Sequence, residues 1–111
     1  MRIAIIEDTP WAAREIIEEL QAIGHEVLWN DGFDDPPRIA EEVDAFQPEL
    51  ILLDHFLGGD TIGSDVAAHL NLSVPIVGIG SCGNTGDYCN IELRSKEPEE
   101  VVDYLETLQK K

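Results

Sequence analysis

Leu50-Ile51-Leu52-Leu53 is an unbroken apolar run with Glu49 in front of it and Asp54 behind. Four consecutive apolar side chains read as a strand covered on both faces, because a strand with one wet face alternates instead. Such a strand needs helices above and below it. The chain supplies them in a regular β-α-β order. Arg2–Glu7 is a first strand with Ile-Ala-Ile-Ile at its centre. Thr9-Pro10 then starts a helix, with Thr9 as N-cap and Pro10 at the first helical position. Ile16, Ile17, Leu20 and Ile23 share one helical face beside Ala13, and Gly24 stops the helix. Glu26–Trp29 reads as a second strand. Asp34-Asp35-Pro36-Pro37 opens a second helix with the stripe Ile39, Ala40, Val43 and Phe46, which Pro48 breaks. Glu49–Asp54 is the third strand.

The second half follows the same alternation less clearly. Gly63-Ser64 caps a helix through Val66, Ala67 and Leu70, and Pro75–Ile79 is a fourth strand. Ser81–Cys89 is rich in Gly, Asn and Asp and reads as a loop. Asn90–Leu93 is a short fifth strand. Pro98-Glu99-Glu100 begins the last helix, lined by Val101, Val102, Leu105 and Leu108, with acidic residues at its positive N-terminal end. The expected fold is therefore α/β: a doubly wound, five-stranded parallel sheet in the flavodoxin-like order 2-1-3-4-5.

Ligands of such sheets sit outside the carboxyl ends of the strands, near the point where strand order reverses. Strand one ends in Glu7-Asp8 and strand three in Asp54. In the 2-1-3-4-5 order they are neighbours. Three carboxylates in one cleft repel one another, by roughly 4 kcal/mol per pair at 4 Å and an effective dielectric constant of 20. A hard divalent cation would relieve that, since Mg²⁺ takes carboxylate, carbonyl, water and phosphoryl oxygens. Strand four runs into Gly80-Ser81 and strand five into Arg94-Ser95-Lys96, so Lys96 is placed to pair with a phosphoryl group.

On these residues the chain resembles, over all 111 positions, the receiver domains of bacterial two-component response regulators, the CheY-like superfamily. Glu7-Asp8 after "RIAII" matches the family's metal-binding pair, and Asp54 after "LILL" its phospho-acceptor. "DHFLGGDTIGSDVAAHL" resembles the stretch that leads into the third helix, with one extra residue before Gly63. "KEPEEV" from Lys96 resembles the conserved lysine and the start of the final helix. The resemblance implies a stand-alone receiver, a single domain over residues 1–111 with no output domain and no enzymatic role beyond Mg²⁺-dependent self-phosphorylation and autodephosphorylation. It implies Mg²⁺ or Mn²⁺ held by Asp8, by Glu7 through water, by Asp54 and by the Phe56 carbonyl. Lys96 would neutralise phosphoryl oxygens, and the donor would be a histidine kinase or histidine phosphotransfer protein.

The chain also departs from the family. Gly80 stands where a Thr or Ser normally senses the phosphoryl group, and a shift of one residue gives that role to Ser81. Leu93 stands where an aromatic switch residue is common. The segment between strands four and five is about six residues short, so the fourth helix is expected to be reduced or missing. These departures fall on the face that usually carries output. They leave a second reading open: a pseudoreceiver that works as an interaction or dimerisation module whatever its phosphorylation state.

Composition narrows the partners. The net charge is −16, from 23 Asp and Glu against 7 Lys and Arg. Such a surface repels phosphate backbones and anionic membranes, so neither nucleic acid nor membrane is an expected partner. It suits an unidentified downstream protein, with a homodimer left open. The absence of a long apolar run or a secretory leader points to the cytoplasm. Cys82 and Cys89 match no zinc pattern and make no disulfide framework. Three other chemistries fit poorly. A haloacid-dehalogenase-type phosphatase wants a second Asp where Phe56 stands, and a cobalamin domain wants Asp-x-His where His55 follows Asp54 directly. A flavodoxin wants a phosphate cradle where "EDTPWA" is acidic.

Overall fold

The computed structural model describes residues 1–54, 63–70, 73–79, 91–92 and 98–109. Its elements are β1 (Arg2–Ile6), α1 (Pro10–Ala22), β2 (Glu26–Asn30), α2 (Pro36–Phe46), β3 (Leu50–Leu53), α3 (Gly63–His69), β4 (Ile76–Gly78), β5 (Ile91–Glu92) and α4 (Pro98–Gln109). All strand pairs are parallel, in the order β2-β1-β3-β4-β5. This is the expected sheet. The helix expected to be reduced or missing between β4 and β5 falls on residues outside the described set. No helix among the described residues is long and apolar enough to cross a membrane.

Strand alternation splits the core in two. Ile3, Ile5, Leu50, Leu52, Val77 and Ile79 point to one side, onto Ala13, Ile16 and Leu20 of α1 and Val101 and Leu105 of α4. Ala4, Ile6, Ile51, Leu53 and Ile76 point to the other, onto Ile39 and Val43 of α2 and Val66 of α3. The register Ile3↔Leu50 and Ile5↔Leu52 keeps each set on its own face. A one-residue slip would exchange the two sets. The apolar run at 50–53 is thus explained: all four side chains are buried, alternately under two helical layers.

Two local expectations change. Thr9 occupies the N-cap of α1 with extended backbone (φ −95°, ψ 106°), but its side chain makes no capping hydrogen bond. The hydroxyl donates to Asp8 Oδ1 instead, over a long 3.5 Å. Ile23, counted in the buried stripe, is 49 % exposed. The helix stops at Ala22, and Ile23 as C-cap has left the helical face. Gly24 follows with φ +97°, and a Cβ there would meet nothing within 4 Å. Its glycine is required by backbone conformation and not by space.

Candidate functional site

β1 and β3 end side by side at the carboxyl edge, tied by the Asp54 amide, which donates to the Ile6 carbonyl at 3.0 Å. The residues that follow these strands are Glu7, Asp8 and Asp54. One carboxylate oxygen from each lies within 4.8 Å of the others. Glu7 is fully buried and Asp54 is 4 % exposed, while Asp8 is half-buried. The sheet order therefore brings together the three acids that the sequence placed on separate strands. Phe56, Ser81 and Lys96, the other sequence-predicted site residues, lie outside the described residues, as do His55, Cys82 and Cys89.

The donor set fits a hard divalent ion. Among the described residues every candidate ligand atom is a carboxylate oxygen, the donor type that hard divalent ions prefer. Around an octahedral ion with metal–oxygen distances of about 2.1 Å, ligand oxygens stand about 3.0 Å apart when adjacent and about 4.2 Å apart when opposite. A triangle no wider than 4.8 Å closes onto such an ion with small side-chain movement. Each like-charge pair at that separation repels by about 3.5 kcal/mol at an effective dielectric constant of 20 and about 1 kcal/mol in water. A cation would offset this repulsion.

The acidic pair is held from the β2 side. The Glu7 amide donates to the Asn30 carbonyl at 3.1 Å. The Trp29 indole Nε1–H donates to the Glu7 carbonyl at 2.9 Å. The Thr9 amide donates to Glu7 Oε1 at 3.1 Å, which turns that carboxylate back toward the start of α1. Asn30, 8 % exposed, accepts from the Gly32 amide at 2.8 Å through Oδ1 and donates to Glu42 Oε2 at 3.3 Å through Nδ2. Trp29 and Asn30 were not among the sequence-predicted site residues. The signal was a Trp-Asn pair at a strand end, whose relation to Glu7 needs the β1–β2 register Ile5↔Trp29 and Ile6↔Asn30.

Solved structures give the arrangement its context. The BeF3-activated N-terminal receiver domain of RstA from Klebsiella pneumoniae superposes with a TM-score of 0.79 at 21 % identity, covering 96 % of this chain and 97 % of that one. The CheY-like response regulator receiver domain from Methylobacillus flagellatus gives 0.76 at 16 % identity, over 97 % and 98 %. The chemotaxis response regulator CheY4 of Vibrio cholerae gives 0.76 at 15 % identity, over 96 % and 97 %. The chain has the CheY-like receiver fold. No protein-family model matches it, and no curated protein matches it in sequence. The likeness is one of fold, carried on a divergent sequence. Within that receiver fold the acidic cluster occupies the carboxyl ends of β1 and β3, where doubly wound sheets place their ligands.

Proposed function

We propose that this chain is a signalling receiver that takes a phosphoryl group onto Asp54 and acts through contacts with other proteins. The observation that carries the reading is the convergence of Glu7, Asp8 and Asp54 within 4.8 Å at the carboxyl edge of the sheet. In the proposed reaction an Asp54 carboxylate oxygen bonds to the phosphorus of a phosphohistidine. The P–N bond breaks, its electron pair stays on the imidazole nitrogen, which takes up a proton from solvent, and an acyl phosphate forms on Asp54. The donor is a histidine kinase or a histidine phosphotransfer protein.

Phosphoryl transfer asks the protein for alignment and charge stabilisation more than for covalent help. Bound Mg²⁺ or Mn²⁺ would neutralise charge on the transferring group and on the three carboxylates. Asp8 and Asp54 hold it in this reading, with Glu7 behind them, and the strand-end bond from Asp54 to Ile6 fixes the nucleophile beside the acidic pair. The proposal also gives Lys96 the phosphoryl oxygens, Ser81 the switch role and the Phe56 carbonyl a place among the metal ligands, on the sequence resemblance.

Incubation with Mg²⁺ and acetyl phosphate, followed by intact mass measurement, tests this directly. A single phosphoryl adduct on the wild type and none on Asp54→Asn is the expected result. No adduct together with no Mg²⁺ binding would overturn it and make the fold a phosphorylation-independent interaction module.

A further inference from the structure

Among the described residues three large aromatics are exposed: Trp11 (70 %), Trp29 (40 %) and Phe33 (65 %). Trp11 lies in the first turn of α1, Trp29 is the last residue but one of β2 and Phe33 lies in the β2–α2 turn, all at the carboxyl edge of the sheet. Trp29 lines a groove with Asn30, Asp31, Asp34 and Glu42. The groove adjoins a second depression along α2 that shares Asp34 and Glu42 and adds Glu41 and Arg38. The Trp29 N–H is already committed to the Glu7 carbonyl, so what the residue offers the groove is ring surface.

We propose that this groove docks a basic segment of a partner protein and seats an arginine on the ring of Trp29. Charge selects the occupant. The lining carries four carboxylates, Asp31, Asp34, Glu41 and Glu42, against one cation, Arg38. A guanidinium stacks on an indole face and pairs with carboxylates in the same plane, which an ammonium does less well. A second copy of the chain is a poor occupant, because both surfaces would carry the charge of a −16 molecule. Nucleic acid and anionic membrane fail on the same ground. The inference does not depend on phosphorylation or on metal binding, and it places recognition on the β2–α2 side of the sheet.

The test uses the whole chain in a Trp11→Phe background, where Trp29 is the one remaining tryptophan. The probe is an acetylated, amidated peptide of four arginines spaced by glycines, titrated at about 0.15 M salt so that diffuse attraction is screened. A saturable change in Trp29 emission is expected, with the lysine counterpart binding at least about threefold more weakly. Asp31→Asn with Asp34→Asn is expected to weaken binding by about fivefold or more, since two nearby charges are lost while the amide oxygens still accept the turn hydrogen bonds. Glu99→Gln with Glu100→Gln removes the same charge from the start of α4 and should change affinity by less than about twofold. Equal weakening by the two double variants would reduce the effect to overall charge and overturn the proposal. So would binding without a change in Trp29 emission, or no binding.

Discussion

Asp54→Asn should make the metal-free protein more stable, against the usual sign for altering a buried residue. In the wild type the Asp54 carboxylate faces two others with oxygen separations no greater than 4.8 Å. At that limit each pair costs about 1 kcal/mol with water-like screening and about 3.5 kcal/mol at a dielectric constant of 20. Removing Asp54 relieves two pairs. Asp8 is half-buried and partly screened by water, which favours the lower figure, so we expect a gain of about 2 kcal/mol at low salt, or roughly 8 °C in midpoint for a chain of this size. The Asn amide can donate to Glu7 or Asp8, which keeps the substitution from leaving a buried polar group unsatisfied. Thermal and urea unfolding in a chelator measures the gain. Adding Mg²⁺ should then close the gap, because a ligand at about 100 times its dissociation constant adds about 2.7 kcal/mol to the wild type, and the variant has lost one of three carboxylates. A variant less stable than the wild type in chelator, with equal Mg²⁺ stabilisation of both, would refute the account of three mutually repelling ligands.

Three further outcomes are expected. Trp29→Phe keeps an aromatic side chain, though a smaller one, and removes the hydrogen bond to the Glu7 carbonyl, so Mg²⁺ affinity by calorimetry should fall about fivefold; unchanged affinity would make the indole a strand clip without influence on the acids. The His25 imidazole is held below its ordinary value of 6.5, first by partial burial and then by the Met1 amine 2.9 Å from Nδ1. Its contribution is complete above about pH 6.5 and is lost as the pH falls through its lowered folded value, because the unfolded chain then binds the proton more readily; urea midpoints should show a steeper acid loss in the wild type than in His25→Ala. Leu20→Ala, at a fully buried site on α1 remote from the acids, should cost about 2–5 kcal/mol in urea unfolding and leave Mg²⁺ affinity unchanged.

The fold was legible because its evidence is local and periodic. Leu50–Leu53, the stripes Ile16/Leu20 and Ile39/Val43, and Pro10 and Gly24 each state an element on short-range grounds. The sheet order then brings Glu7, Asp8 and Asp54 into one place, so half of the candidate site followed from strand ends alone. The support of that site was not legible. The Trp29–Glu7 bond spans 22 residues and exists only once β2 is set in register with β1. Thr9 satisfied every sequence criterion for a cap, yet an acid beside it drew the hydroxyl away from the helix. Ile23 shows the limit of reading a stripe to its last member: one residue past the final turn, the same spacing no longer points inward.

β2 is the edge strand of the sheet, paired with β1 alone among the described residues. Edge strands are among the first parts of a sheet to open transiently. Yet the Glu7 amide and carbonyl are both bonded to β2, at Asn30 and Trp29. Opening of the outermost strand would therefore release Glu7, while Asp54 follows the central strand β3 and is tied to β1 through Ile6. Amide exchange at Glu7 would report that opening, and a ligand bridging Glu7 and Asp54 would slow it. The same contact makes the edge of the sheet a reporter of what is bound at its centre.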